Sequence, residues 1–191
     1  VNPPHISTDA SVKYDYDIAY VRTPRRGDKE GSNWAEIAHP GQMDARGDLM
    51  LLHPDGSEER LVEGGPDGSV ADPAVSFDGQ WIYYAHLRGL GEGSAGRGPT
   101  QKRADIFKIH VNSRQIVRLT QQTCTPNTGV GSLDYEYGVF NLGPFPIPDN
   151  RLVFVSNRNA FKSPKHEWPA LQLFVMDDDG RNVELIGQLN V

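Results

Sequence analysis

Apolar segments that end in tight-turn residues recur along this chain. Three segments share the pattern: residues 48–56 (DLMLLHPDG), 105–113 (DIFKIHVNS) and 172–180 (QLFVMDDDG). Each is followed by a second short apolar segment, at residues 59–62, 116–119 and 183–186. A pattern that returns every few tens of residues predicts one supersecondary unit used several times.

A second repeated pattern lies upstream of the first. Residues 73–85 and 145–155 each contain a strand, an Asp-Gly or Asp-Asn turn and an aromatic-rich strand, and residues 18–22 retain only the second strand. Four short strands joined by such hairpins are typical of one β-propeller blade. We therefore predict an all-β fold of four-stranded antiparallel sheets. Equivalent positions, expected to be buried, are Tyr20, Tyr84 and Phe154 on one strand and Leu49, Ile106 and Leu173 on the next.

The repeats divide residues 1–191 into about three blades of an incomplete propeller. The predicted bounds are about 15–64 for the first blade, 72–122 for the second and 124–191 for the third. Closed propellers have roughly four to eight blades. We therefore expect this chain to be a fragment of a longer polypeptide, with further blades or a neighbouring domain as partners.

The connections between predicted strands differ at the two ends of each blade. One end has minimal turns, whereas the other has long loops at about 23–47, 87–104, 121–137 and 157–171. Loops longer than about 12 residues without their own structure are uncommon unless they are functional or disordered. The long-loop end is therefore the predicted working surface.

Charge distinguishes this end as well. The chain has a net charge of −6, yet residues 22–47, 86–104 and 156–170 together contain twelve Lys or Arg and six Asp or Glu. A basic rim on an acidic body predicts an anionic ligand or an acidic protein partner, and ordinary solvated loop charge is the alternative. Nucleic acid is an unfavourable partner for so acidic a chain. The predicted contacts are Arg22, Arg25, Arg26, Arg88, Arg103 and Arg158.

Other reactive side chains give weaker signals. Cys124, His39 and His166 lie in long connections and are the candidate metal ligands, and each has an ordinary structural role as its alternative. No nucleophile elbow, phosphate-binding loop or His-Glu-x-x-His motif occurs, so no catalytic residue is identified. No apolar run approaches the roughly 18 residues of a membrane span.

Some segments resemble a known family. Residues 76–84 (SFDGQWIYY), 105–109 (DIFKI) and 151–158 (RLVFVSNR) look like the blade repeat of TolB-like periplasmic propellers. This resemblance covers most of the chain from Asp15 onward. It implies a propeller fold and a periplasmic or otherwise exported protein.

A narrower resemblance concerns hydrazine synthase α-subunit-like proteins. Residues 14–22, 48–52, 143–145 and 151–161 are similar to the propeller region of that family. The resemblance implies a parent protein whose propeller supports c-type haem domains. Cys124 is the only cysteine, so this segment has no Cys-x-x-Cys-His haem attachment site, and any haem c would belong to the rest of the parent.

Three functional hypotheses follow. The first is a non-catalytic scaffold or binding propeller within a larger exported protein, whose basic loop end holds an anionic partner or a neighbouring domain. The second is the propeller part of a c-type haem oxidoreductase. The third is the gating propeller of a hydrolase.

Overall fold

The computed structural model describes residues 8–9, 11, 13–24, 41–90, 102–124, 137–161 and 170–187. Within these ranges the regular structure is almost entirely β-strand. The strands are β1 (Ile18–Arg22), β2 (Asp48–Leu52), β3 (Glu58–Val62), β4 (Gly68–Val75), β5 (Trp81–Arg88), β6 (Lys102–His110), β7 (Ile116–Arg118), β8 (Tyr137–Ile147), β9 (Arg151–Ser156), β10 (Gln172–Asp177) and β11 (Glu184–Gly187). No described helix is long and apolar enough to cross a membrane.

The strands form three antiparallel units in chain order. The first sheet contains β1–β3, the middle sheet β4–β7 and the third sheet β8–β11, each with neighbouring strands paired in sequence. A short parallel pairing of β6 with β8, at Lys102↔Tyr137 and Ala104↔Phe140, joins the middle and third sheets. The prediction of all-β propeller blades is confirmed, with the first sheet represented by three strands.

Cross-strand register repeats from sheet to sheet. The aromatic positions pair as Tyr20↔Met50, Tyr84↔Phe107 and Phe154↔Phe174, and the next positions pair as Val21↔Leu49, Ala85↔Ile106 and Val155↔Leu173. The sequence therefore identified equivalent positions correctly in all three units.

Burial of these positions follows the prediction only in part. Tyr84, Phe154, Leu49 and Ile106 are buried, but Tyr20 and Leu173 are half-buried. Both exceptions lie on the outer sheets, where the described residues supply a neighbouring sheet on one face only. The Tyr20 hydroxyl also donates to the Glu58 carboxylate at the surface, which keeps the ring away from the core.

Apolar side chains cover both faces of the middle sheet. Ile82 and Tyr84 point toward the first sheet and pack with Leu49 and Val70. Tyr83, between them on β5, faces the third sheet. Since full burial of one large apolar side chain contributes about 1.5–3 kcal/mol, these two clusters stabilise the packing between units.

The tight turns predicted from Asp-Gly and Asp-Asn pairs are present. Gly56, Gly79 and Gly180 all have positive φ, and each amide donates to the carbonyl three residues earlier at 2.9 Å. Asp149 and Asn150 have φ of 66° and 55°, as a two-residue hairpin turn requires. These turns leave the long connections at the opposite end of the sheets.

Candidate anion-binding site

Two of the predicted rim arginines lie directly opposite each other at the long-loop end of the middle sheet. Arg88 is the last residue of β5, and its register partner on β6 is Arg103. Opposed residues of antiparallel strands project from the same face with Cβ atoms about 4.5–5.5 Å apart. The structure therefore places these two basic residues side by side at the end of the sheet, and we call them the arginine pair.

Glycines flank the arginine pair on both sides. Gly68 of β4 is the other register partner of Arg88, and a Cβ built there would lie 3.3 Å from Arg88 Cδ. A Cβ at Gly138 of β8 would lie 3.1 Å from Arg103 Cβ. A larger residue at Gly68 would also meet the Gly64 carbonyl oxygen at 2.5 Å. The two arginines thus occupy a row bordered by backbone rather than by bulky side chains.

No acidic side chain of the described residues forms an ion pair with Arg88 or Arg103. Arginines elsewhere in those residues do have acidic partners: Arg22 with Glu58, Arg60 with Asp48, Arg114 with Glu59 and Arg118 with Asp105. Like charges opposite each other on a sheet are destabilising. Within the described residues, the charge of the arginine pair is therefore not balanced by an acidic partner.

His86 lies beside the pair on the same face of β5. Its side chain is buried, and Nε2 lies 3.2 Å from the Gly64 carbonyl oxygen, an arrangement in which a neutral imidazole donates from Nε2. Burial lowers the pKa of His86 below its ordinary value, and the nearby charge of Arg88 adds to this effect. The imidazole therefore does not add a charge to the site at neutral pH.

Asp105, the register partner of His86, is the acid nearest in sequence to Arg103. Its buried carboxylate accepts from Arg118 Nη2 at 2.7 Å, Gln122 Nε2 at 3.0 Å, Thr120 Oγ1 at 3.0 Å and Asn141 Nδ2 at 3.2 Å. These four donors use the carboxylate fully. Asp105 consequently stabilises the junction of the middle and third sheets and does not neutralise the arginine pair.

Arg158 lies in the interior, so its predicted place on an exposed rim is wrong. Only 5% of the residue is exposed, and Nη2 donates to Asn141 Oδ1 at 3.0 Å. Its guanidinium carbon lies 5.3 Å from the Phe154 ring centroid and 5.6 Å from that of Phe174. Burial lowers the pKa of this guanidinium. After β9 the chain turns into the protein, which sequence proximity to a long loop did not reveal.

The remaining predicted site residues are Arg22, Arg25, Arg26, His39, His166 and Cys124. Arg22 belongs to the first sheet and is held by Glu58 and by the Tyr20 hydroxyl, at 2.5 Å from Nη2. Arg25, Arg26, His39 and His166 lie outside the described residues. Cys124 is exposed, and partial burial of its thiol raises its pKa, which disfavours the thiolate. The described part of the chain contains no group of three His, Cys, Asp or Glu placed to hold a metal ion.

The sequence reasoning missed the direct pairing of Arg88 with Arg103, although a signal existed. Partners in a regular antiparallel hairpin have residue numbers with a constant sum. Placing the aromatic residues Tyr84 and Phe107 opposite each other therefore fixes Arg88 opposite Arg103. The repeat relates equivalent positions of different units, whereas this sum relates positions on neighbouring strands of one unit.

Comparisons with known proteins give similarity of fold only. No protein-family model and no curated protein matches the chain. A TolB-type structure from Agrobacterium tumefaciens is 21% identical with a TM-score of 0.48, covering 75% of this chain and 39% of that one. TolB from Acinetobacter baumannii is 16% identical with a TM-score of 0.44, and the match covers 73% of this chain and 26% of that one. An oligogalacturonate lyase from Vibrio parahaemolyticus is 10% identical with a TM-score of 0.46, and the match covers 72% of this chain and 34% of that one.

This chain thus spans well under half the length of each of these structures. The propeller assignment depends on the strand order and repeated register of the chain itself. The resemblance to hydrazine synthase α-subunit-like proteins, and haem c in a parent protein, stay predictions.

Proposed function

We propose that this chain is a non-catalytic binding segment of a β-propeller that holds a carboxylate or phosphate group of a partner at the arginine pair. The observation that carries the proposal is the direct opposition of Arg88 and Arg103 without an acidic partner among the described residues. A larger exported parent protein is part of the same proposal, supported by the sequence resemblance to periplasmic propellers.

Magnitudes favour binding over a purely structural role. Favourable cross-strand pairs contribute roughly 0.2–1 kcal/mol, and we take the cost of opposed like charges to be of the same order. A hydrogen bond to a charged group contributes about 1.5–3 kcal/mol, and guanidinium groups can bind a carboxylate or phosphate in bidentate fashion. One anion between two guanidinium groups would therefore more than offset their mutual repulsion.

The groups beside the pair support binding rather than acid–base chemistry. His86 is buried with its ring nitrogen near the Gly64 carbonyl, and Asp105 accepts four hydrogen bonds. Both side chains are held by structural contacts, so neither is free to pass a proton to a bound ligand. The haem-oxidoreductase and hydrolase hypotheses concern the parent protein and remain predictions.

The proposal is tested by measuring the affinity of the chain for two anionic probes, blocked tetraglutamate and inorganic pyrophosphate. Calorimetric titration in about 50 mM and about 300 mM salt shows whether binding weakens with ionic strength, as exposed charge interactions do. We expect the native chain to bind at least one probe and Arg88→Glu/Arg103→Glu to bind it at least about tenfold more weakly.

A matched control is Arg60→Glu/Arg181→Glu, which changes the net charge equally at two arginines with exposed side chains. This control should keep its affinity within about threefold of the native value. Equal loss in both double variants would mean that net charge, and not the arginine pair, attracts the probe. Native-like affinity in the Arg88/Arg103 variant, or no binding of either probe to the native chain, would overturn the proposal.

A further inference from the structure

A cavity of about 270 Å³ opens at the tight-turn end of the sheets, away from the arginine pair. One wall is the turn between β4 and β5 at Phe77 and Asp78, and the other is the turn between β8 and β9 at residues 146–151. Trp81, Tyr83 and Asp178 line it between these walls. The cavity is thus built by hairpins of two different units.

We propose that this cavity binds a basic side chain, lysine or arginine, of a partner polypeptide. Its apolar surfaces suit the aliphatic stem of such a side chain, and its carboxylates suit the charged end. The inference is independent of the proposed function, because it uses other residues at the other end of the molecule and a ligand of opposite charge.

The aromatic surface is the first support. Phe77 is 76% exposed, which is unusual for a large apolar side chain beside a cavity, and Trp81 lines the same space. Trp81 is held in place, since Lys108 Nζ lies 4.6 Å from its ring centroid and the His110 ring meets it edge-on at 4.9 Å. Such rigid aromatic faces attract cations through their π electrons.

Unneutralised carboxylates are the second support. Asp78, on one wall, accepts from Ser76 Oγ at 2.5 Å and from the Gln80 amide at 3.0 Å, and these bonds lower its pKa and keep it ionised. Asp149, on the other wall, forms no ion pair with any described residue. Arg151, the cation among the lining residues, lies 3.9 Å from Glu184. Each wall therefore contains a carboxylate that is available to a cationic ligand, and the positive charge of Arg151 is shared with Glu184.

Asp178 shows that this combination already binds a lysine within the protein. Its carboxylate accepts from Lys108 Nζ at 2.7 Å and from the Tyr83 hydroxyl at 2.7 Å, while Lys108 also lies over Trp81. Asp178 is thus neutralised by an internal cation and an aromatic face. Asp78, Asp149 and Phe77 offer the same chemistry to a cation from outside.

The test compares two blocked tripeptides, acetyl-Gly-Arg-Gly-amide and its citrulline counterpart, which has nearly the same shape without the charge. In ¹⁵N NMR titrations of the chain, the arginine peptide should shift the amides of Gly79 and Asn150 and the Trp81 indole N–H to saturation. The citrulline peptide should bind about tenfold or more weakly, because it lacks the charge-assisted contacts.

Variants locate the site. Asp78→Asn/Asp149→Asn should weaken the arginine peptide about tenfold, and Phe77→Ser should weaken it severalfold without unfolding, because Phe77 is exposed. The matched control Asp55→Asn/Glu63→Gln removes two exposed carboxylates elsewhere and should bind as the native chain does. The inference would be overturned if the two peptides bound with equal affinity or if the control variant lost as much affinity as Asp78→Asn/Asp149→Asn. It would also be overturned if the amide chemical shifts did not saturate or changed over the whole surface.

Discussion

Arg158 and the arginine pair follow similar stretches of sequence but have different environments. Each lies where an apolar strand meets a long connection rich in basic residues. Arg158 contacts Asn141, Phe154 and Phe174 and is buried. Arg88 and Arg103 are register partners on β5 and β6 and are bordered by glycines.

Backbone direction explains the difference. After β9 the chain bends inward, with the Asn157 side chain accepting from the Phe140 amide at 2.8 Å and the Ser156 hydroxyl accepting from the Arg158 amide at 3.1 Å. β5 instead continues to Arg88 as its last residue, and the next residue, Gly89, has φ of 78°. A basic residue near a loop thus becomes part of the core or part of a surface according to where its backbone leads.

The largest expected loss of stability is that of the Arg158→Glu variant. Arg158→Glu would place an anion between two aromatic rings and beside the side-chain oxygen of Asn141. The negative charge of Asp105 also acts at this position. Disrupting buried charges of this kind costs about 3–5 kcal/mol. Urea denaturation should show this loss, whereas Arg88→Glu should change the free energy of unfolding by less than about 1 kcal/mol. Similar losses in the two variants would remove the distinction between them.

The second effect concerns Asp105, whose carboxylate accepts hydrogen bonds from neighbouring side chains and does not pair with Arg88 or Arg103. Asp105→Ala leaves Arg118, Gln122, Thr120 and Asn141 without their shared acceptor. We expect a loss of about 2–4 kcal/mol, with Asp105→Asn intermediate because it keeps one acceptor oxygen. Glu63→Ala, which removes an exposed carboxylate elsewhere, provides the comparison. An Asp105→Ala variant as stable as the native chain would contradict the hydrogen-bond network.

A smaller effect depends on pH and on His86. Because burial and Arg88 lower its pKa in the folded chain, the unfolded chain binds a proton at this position first as pH falls below about 6.5. The native chain should therefore lose stability relative to His86→Gln between about pH 7.5 and 5.5. Denaturation curves of both proteins across this range measure the difference. The assigned environment of His86 would be contradicted if the difference in the free energy of unfolding between the two proteins stayed constant, or if the native chain became more stable relative to the variant as pH falls.

Sequence alone predicted the strands and turns better than it predicted burial or the site. Periodic apolar segments and Asx-Gly turns depend on local structure, so the repeats and the equivalence of Tyr20, Tyr84 and Phe154 were correct. Burial depends on the neighbouring sheet, which is why Tyr20 and Leu173 are more exposed than expected.

The predicted placement of Arg158 was wrong for a similar reason. The charge pattern selected Arg88 and Arg103 together with Arg158, because the inward bend after β9 leaves no mark in the charge pattern. The cavity at Phe77 and Asp149 depends on two hairpins that are distant in sequence. The sequence of each turn predicts that turn alone, whereas the cavity forms only when the two turns come together in the fold.

The most direct test of the binding account is the thermal stability of the native chain and of Arg88→Gln/Arg103→Gln, each with and without the anionic probe that binds. Without the probe, the variant should be at least as stable as the native chain, because repulsion between opposed like charges is removed. With the probe at about 100 times its dissociation constant, the native chain should gain about 2.7 kcal/mol and the variant little. A variant that is less stable without the probe, or that gains as much with it, would contradict the account.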